Sequence, residues 1–430
     1  MVSLGPQVLC GLVAFRQKTL SLFLSLSPHT HTHRVPRGFA GNVNRTSLFC
    51  EAGASLCFVR AGFSVSMALS CRILTVLLLA CGAISGAEAD MDYGGVPLWI
   101  NRLAGEPSVM SLHGRLGPAW IRANNLHGCP RRCVCPVHWP TAVYCDHGNL
   151  TDAPNDLPDR TQYLFLQRNN ISSLSSSLTN TTDLRWLILD HNQLRSDKLD
   201  QAALQSQTQM CYLFANHNNL ESVPNTLPAG LQELRLAHNR VSSISPGAFR
   251  NMSKLRLLLL QGNRLQTITG GDLKGLLSLT LLELSGNLLS SVPTHLPPSI
   301  QQLYLSDNSL SQLSDDSFSG LSGLKYLRLS RCGLQSSGLR PQVFNLSSLV
   351  ELDLSYNKLA AIPTVPTSLQ YLYLEANEIK GFNTTSFCRE VGPLSYSRMK
   401  VLRLDGNNMS YQQIPPDWML CLRVLQSIYL

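Results

Sequence analysis

At 430 residues, 44% hydrophobic and 14% charged, the chain is long enough for one large or two ordinary domains with a substantial core, and it is not a disordered protein. Its formal charge of +8 is unevenly placed: the first 89 residues carry seven Lys/Arg against two Asp/Glu, leaving 28 against 25 beyond. That near-neutral remainder gives no electrostatic case for nucleic acid.

Residues 1–66 hold no repeat register, include HTHTH, and read as an upstream extension without a fold. Residues 67–89, MALSCRILTVLLLACGAISGAEA, start at a methionine, carry Arg72 and then an apolar run from Ile73 to Ala83 flanked by small residues. These are the parts of a signal peptide. The run is too short to span a bilayer comfortably, so cleavage is expected near Ser85 to Ala89, followed by an amino-terminal tail over 90–128. No later segment offers an anchor, and a secreted protein without membrane insertion is expected.

Thirteen cysteines less Cys10, Cys50, Cys57, Cys71 and Cys81 leave eight in the mature part, where an oxidising compartment favours disulfides. Four of them open a cysteine-rich cap over 129–160, in CPRRCVCPVHWPTAVYC. The spacing C-x3-C-x-C-x9-C of Cys129, Cys133, Cys135 and Cys145 lacks the paired CxxC of zinc sites, and His138 and His147 are isolated. No metal or other cofactor is expected, and four cysteines leave three possible pairings.

From residue 161 to 430 the pattern LxxLxLxxNxL recurs, with its ninth position at 169, 192, 218, 239, 263, 287, 308, 332, 357, 377 and 407. Eleven copies in phase predict a leucine-rich-repeat solenoid, an α/β horseshoe of about 11–12 repeats with a parallel concave sheet. Each copy supplies a short strand whose first, fourth and sixth residues point into a shared core. The ninth-position Asn is suited to satisfying backbone groups in the turns; Cys332 takes that place once, and Cys211 has no evident partner. Pro-rich repeats such as VPNTLP suit extended convex segments, while longer ones with PGAF or DDSF have room for a helical turn. The interval before Asn407 stretches to 30 residues, an ear repeat holding Cys388, and Cys421 lies beyond it. A solenoid exposes its core at both ends, so the first cluster is expected to cap one end and a Cys388–Cys421 staple the other.

The cap spacing, the repeat number, the stretched penultimate repeat, and the segments TDLRWLILDHNQL (182–194), NLSSLVELDLSYNKL (345–359), SFCREVGPLSYS (386–397) and LRLDGN (402–407) carry a specific resemblance. Over about residues 129–430 the chain resembles the small leucine-rich proteoglycans, in the branch of fibromodulin, keratocan and lumican. The resemblance implies Cys129 paired with Cys135 and Cys133 with Cys145. It also implies an extracellular-matrix keratan sulfate proteoglycan that binds fibrillar collagen and regulates fibril assembly, diameter and spacing, with other matrix proteins or growth factors as further partners. The family often clusters sulfated tyrosines in its tail; here 90–128 offers only Tyr93.

Sequons stand at Asn149, Asn170, Asn180, Asn251, Asn345, Asn383 and Asn408. Asn180, Asn251 and Asn345 each lie four residues before a first strand position, and so share one face; they also match the branch's keratan-sulfate-bearing sites. Asn383 is the further candidate, whereas Asn149 is less favoured and Asn170 and Asn408 follow the ladder residue directly. The third and fifth strand positions set the concave face: Tyr163, Phe165, Trp186, Ile188, Tyr212 and Phe214 first, then Glu233, Arg235 and Glu283 among leucines, later Tyr304, Tyr326, Arg328, Asp353, Tyr373 and Arg403. Exposed aromatics in such numbers point to a contact surface, against which stands stacking between neighbouring strands. Glu283, an exposed carboxylate amid Leu257, Leu259 and Leu281, is the expected collagen contact, with Arg235 and Arg328 flanking it. The sequence holds no HExxH, GxSxG or phosphate-gripping glycine loop, so an enzyme is not expected. The alternative is a secreted ligand-binding or innate-immune repeat protein.

Overall fold

In the computed structural model the described residues are 125–137, 139–174, 178, 181–390 and 395–430. They form one parallel sheet of thirteen strands in strict chain order. β1 (Ala142–Tyr144) belongs to the cysteine-rich cap. The eleven repeats supply β2 (Tyr163–Phe165), β3 (Trp186–Ile188), β4 (Tyr212–Phe214), β5 (Glu233–Arg235), β6 (Leu257–Leu259), β7 (Leu281–Glu283), β8 (Gln302–Tyr304), β9 (Tyr326–Arg328), β10 (Glu351–Asp353), β11 (Tyr371–Tyr373) and β12 (Val401–Arg403), and β13 (Ser427–Tyr429) closes the order. Every pair is in register, third position beside third and fifth beside fifth, as in Trp186 beside Tyr212 and Ile188 beside Phe214.

The strands are short because each repeat has only one residue, the fourth, that must be buried between two concave-facing neighbours. Leu187, Leu234, Leu258, Leu282, Leu303 and Leu327 occupy it and are buried, as are the first and sixth positions such as Leu184 and Leu189. After each strand the chain turns through a left-handed eighth position: His191, His217, His238, Asp307, Arg331, Tyr356 and Ala376 lie at φ 51–54°, with glycine at 262, 286 and 406. A non-glycine residue there costs on the order of 1 kcal/mol, so something must hold the turn.

The ninth-position asparagine does so. Asn263 donates its amide to the carbonyls of Leu260 in its own coil and Leu236 in the preceding one, both at 2.9 Å, and its Oδ1 accepts the N–H of Val241 at 2.9 Å. Asn192, Asn218, Asn239, Asn287, Asn308, Asn357, Asn377 and Asn407 likewise bond back to the coil before them. At Cys332 the thiol donates to the Leu305 carbonyl at 3.3 Å, and the Leu310 N–H faces a sulfur instead of an amide oxygen. Burial pushes that thiol up to about 12.

Among the described residues helix is a minor component. The convex segments are turns, with short 3-10 pieces such as Ser196–Lys198 and Ser336–Gly338 and two brief helices, α1 (Gln201–Gln205) and α2 (Trp418–Cys421). The longer PGAF and DDSF repeats fill their extra length with turns, anchored by buried Phe249 and Phe318.

Both ends of the core are covered. Disulfides join Cys129 to Cys135 and Cys133 to Cys145, and Val134 exchanges both backbone hydrogen bonds with Tyr144, pairing antiparallel against the outer edge of β1. That contact blocks an edge otherwise open to further strand addition. At the other end Cys388 is bonded to Cys421, tying the long ear loop between β11 and β12 to α2. Cys211 and Cys332 stand outside the three disulfides.

Asn263→Ala should lower unfolding free energy by about 2–4 kcal/mol in urea titration, because one buried N–H and two carbonyls lose their partner, whereas Cys332→Asn should raise it by about 1 kcal/mol. Alkylation of the native protein should label Cys211 and spare Cys332, which is buried and high in pKa.

Candidate functional site

The strand face is the surface on which the repeats present side chains in register, and it divides into three zones. Over β1–β4 the aromatics stack on one another. Tyr144 and Phe165 lie parallel at 4.4 Å, Trp186 and Tyr212 are 4.5 Å apart, and Trp139 from the cap sits 4.9 Å from Tyr163. Phe165, Ile188 and Phe214 are buried, with Tyr163, Trp186 and Tyr212 half-buried against them. The exposed aromatic surface expected from the sequence is therefore corrected at its fifth positions, Phe165, Ile188 and Phe214, which are buried in a stacked ladder, while the third positions Tyr163, Trp186 and Tyr212 keep one side open. Neighbouring strands about 4.8 Å apart place in-register rings at stacking distance.

Over β5–β8 the charged residues are enclosed. Arg235 is 1% exposed; its guanidinium lies 4.1 Å over the Phe214 ring and pairs with Glu233. Glu283 has 0% exposure, and its Oε1 accepts the Ser285 N–H at 2.8 Å. An exposed carboxylate at Glu283 is thus not what the structure presents: Leu259 and Tyr304 flank it from the adjacent strands and are themselves buried. Asp190 is buried beside this zone, accepting the Asn216 N–H at 2.7 Å. Burial pushes its carboxyl up to about 7, against the opposing pull of Asn216 and Arg235.

Over β9–β12 the face is half-open and polar. Arg328, its side chain 26% exposed, bonds Glu351 across the strand pair at 2.9 Å and lies 4.9 Å over the Tyr304 ring. Arg403 meets Asp405 at 2.8 Å and Glu375 at 3.7 Å. Tyr326, Tyr371 and Tyr373 stand half-buried between these pairs. Burial raises the Glu375 carboxyl and the Tyr373 hydroxyl above their ordinary values. Arg328 and Arg403 are the accessible cations of the strand face, and their cross-strand partners were not foreseen, because a partner 23 residues away depends on register.

Among the candidate glycan sites, Asn251 and Asn345 are exposed on turns before β6 and β10. Asn383 is exposed, with its Oδ1 accepting from Thr385. Asn149, Asn170 and Asn408 are exposed, and the Asn170 amide donates to Asn149 Oδ1 at 2.9 Å. Asn180, Tyr93, His138, the signal peptide over 67–89 and the tail up to residue 124 lie outside the described residues. Among the described residues no group of three His, Cys, Asp or Glu is placed to hold a metal, and no helix is long and apolar enough to cross a membrane.

Two family models match the chain: leucine rich repeat over residues 229–289 and 294–334, and leucine rich repeat N-terminal domain over 128–158. The chain is 40% identical to human lumican over 364 residues, covering 84% of this chain and 100% of that protein. It is 38% identical to zebrafish (Danio rerio) keratocan, over 71% of this chain and 89% of that one, and 41% identical to bovine fibromodulin, over 73% and 85%. Among solved structures, a chain of the octameric complex of Latrophilin 3, Unc5D and FLRT2 superposes with TM-score 0.56 at 26% identity, covering 70% of this chain and 83% of that one. An internalin from Listeria monocytogenes shares the fold at TM-score 0.54 and 19% identity, over 67% and 80%.

Asp190 makes a pH prediction. Its folded pKa is raised, so the folded state holds the proton more tightly than the unfolded chain, and stability falls as pH rises between about 4 and about 7. Asp190→Asn keeps an acceptor for Asn216 and removes the titration. Relative to wild type it should gain on the order of 1–3 kcal/mol at pH 8 and little near pH 4 in parallel denaturant titrations. Equal pH profiles for the two proteins would contradict the assignment.

Proposed function

The chain belongs to the small leucine-rich proteoglycans, in the branch of lumican, keratocan and fibromodulin, and on that footing we propose that it is secreted into the extracellular matrix, binds fibrillar collagen and limits fibril diameter and spacing. In this reading residues 67–89 are removed as a signal peptide and 90–128 form the tail of the mature protein. Asn180, Asn251 and Asn345 carry the long keratan sulfate chains.

The half-open zone over β9–β12 supports the collagen part. Arg328–Glu351 and Arg403–Glu375 alternate with Tyr326, Tyr371 and Tyr373 along the sheet. A collagen triple helix is a slender rod whose X and Y positions project side chains at short intervals. Tyrosines supply rigid apolar area, and each ion pair can open to exchange its partner for a collagen charge, where partial desolvation strengthens the new bond. Of Glu283, Arg235 and Arg328, Arg328 is the contact in this reading. Glu283 and Arg235, enclosed, enter the proposal as supports that hold the face in shape. Glycans on the convex turns would stand away from the bound rod and keep neighbouring fibrils apart.

Fibril growth followed by turbidity tests this. The secreted chain should reduce final fibril diameter, and keratanase treatment should let neighbouring fibrils pack closer without abolishing binding. Arg328→Gln/Glu351→Gln removes both charges together, so no orphaned ion remains. It should weaken collagen binding about tenfold, about 1.4 kcal/mol, with little change in melting temperature. Undiminished binding would remove this zone as the contact.

A further inference from the structure

The left-handed eighth positions form a second surface along the edge of the sheet, independent of the strand face and of the collagen reading. Over five consecutive coils beginning at the cap they are His147, Arg168, His191, His217 and His238, all exposed. The His191 and His217 rings stack at 4.3 Å with 6° between planes, and His217 and His238 at 4.5 Å with 12°. Gly262 ends the column: a Cβ there would collide with the His238 ring that leans over it. Two positions further on in their coils, Arg240 and Arg264 are exposed on the same edge.

Asp146 lies 3.2 Å from His147, buried Asp190 precedes His191, and Arg195, Asp197 and Glu221 are exposed in the loops that follow the ladder residues. Imidazoles stacked at van der Waals distance oppose one another's protonation, and Arg168 adds to that opposition. His191 is accordingly held below its ordinary pKa, by burial first and then by Arg168 and His238. Opposed by a row of anions, the column would become a row of cations, one per strand step of about 4.8 Å.

We propose that this column binds a linear sulfated polysaccharide laid across the coils, and binds it more tightly as pH falls. The match is geometric: five cation-capable side chains in a line, on the order of 20 Å end to end, suit a polymer with sulfates at short regular intervals rather than a compact anion. Protonated imidazoles donate N–H bonds from both ring nitrogens, and each sulfate relieves the repulsion between neighbouring rings. Arg168, Arg240 and Arg264 provide the charge that does not titrate.

Calorimetry of the full secreted chain with a heparin dodecasaccharide, in EDTA, tests the inference. Affinity should rise at least about tenfold between about pH 7.5 and about pH 5.5. His191→Gln/His217→Gln/His238→Gln should abolish that rise while changing affinity at the higher pH by no more than about twofold. Should the variant fold poorly, wild type alone decides: heparin must raise the melting temperature more at the lower pH. Stripping the protein's own asparagine-linked chains separates two sources of sulfate. Unchanged affinity assigns the strip to a separate polysaccharide, and tighter binding shows that its own chains occupy it. A pH-independent affinity, a rise that survives the triple substitution, loss of binding in EDTA, or tighter binding of single-stranded DNA than of heparin would overturn the proposal.

Discussion

One asparagine amide in each repeat but that of Cys332 carries the architecture. Each lies in the turn after a three-residue strand and bonds at once to its own coil and to the coil before it, as Asn263 does to Leu260, Leu236 and Val241. Short strands cannot fix a sheet by themselves; three residues offer few ladder bonds against the entropy of ordering them. The amide supplies the missing bonds where backbone groups would otherwise be buried and unpaired. It also holds the residue before it in the left-handed region, which no side chain but glycine favours.

Two surfaces follow from that constraint. Because every coil is locked to its predecessor, third and fifth positions line up across the sheet, and their chemistry is read as columns: an aromatic ladder over β1–β4, enclosed charge over β5–β8, and tyrosines among ion pairs over β9–β12. The eighth positions line up for the same reason, which places three imidazoles in one stack. The leucine core does not vary in kind along the chain; the columns do, and recognition therefore resides in them.

Most of the scaffold was legible in the sequence, because a fixed period with a polar ninth position admits one solution. The eleven strands fall at the motif positions that name them. What failed was the sense of the exposed positions. Phe165, Phe214 and Glu283 were placed on the right face, but whether a side chain on that face is open depends on the neighbouring coil, whose ring or aliphatic chain stands in register beside it. The Arg328–Glu351 bond was illegible for the same reason. His191, His217 and His238 occupy one motif position and could have been found by aligning the repeats on Asn; their stacking depends on a positive φ that the letters do not show.

Hydrogen exchange of backbone amides tests the clamp most directly. The N–H groups of Leu194, Val241, Leu265, Leu289 and Leu359 are each held by an asparagine Oδ1 from the next coil, while that of Leu310 faces the sulfur of Cys332. The account predicts that the clamped amides exchange together, among the slowest in the protein, and that Leu310 exchanges measurably faster than its counterparts. Protection at Leu310 equal to theirs, or clamped amides that exchange as fast as those of the convex turns, would contradict it.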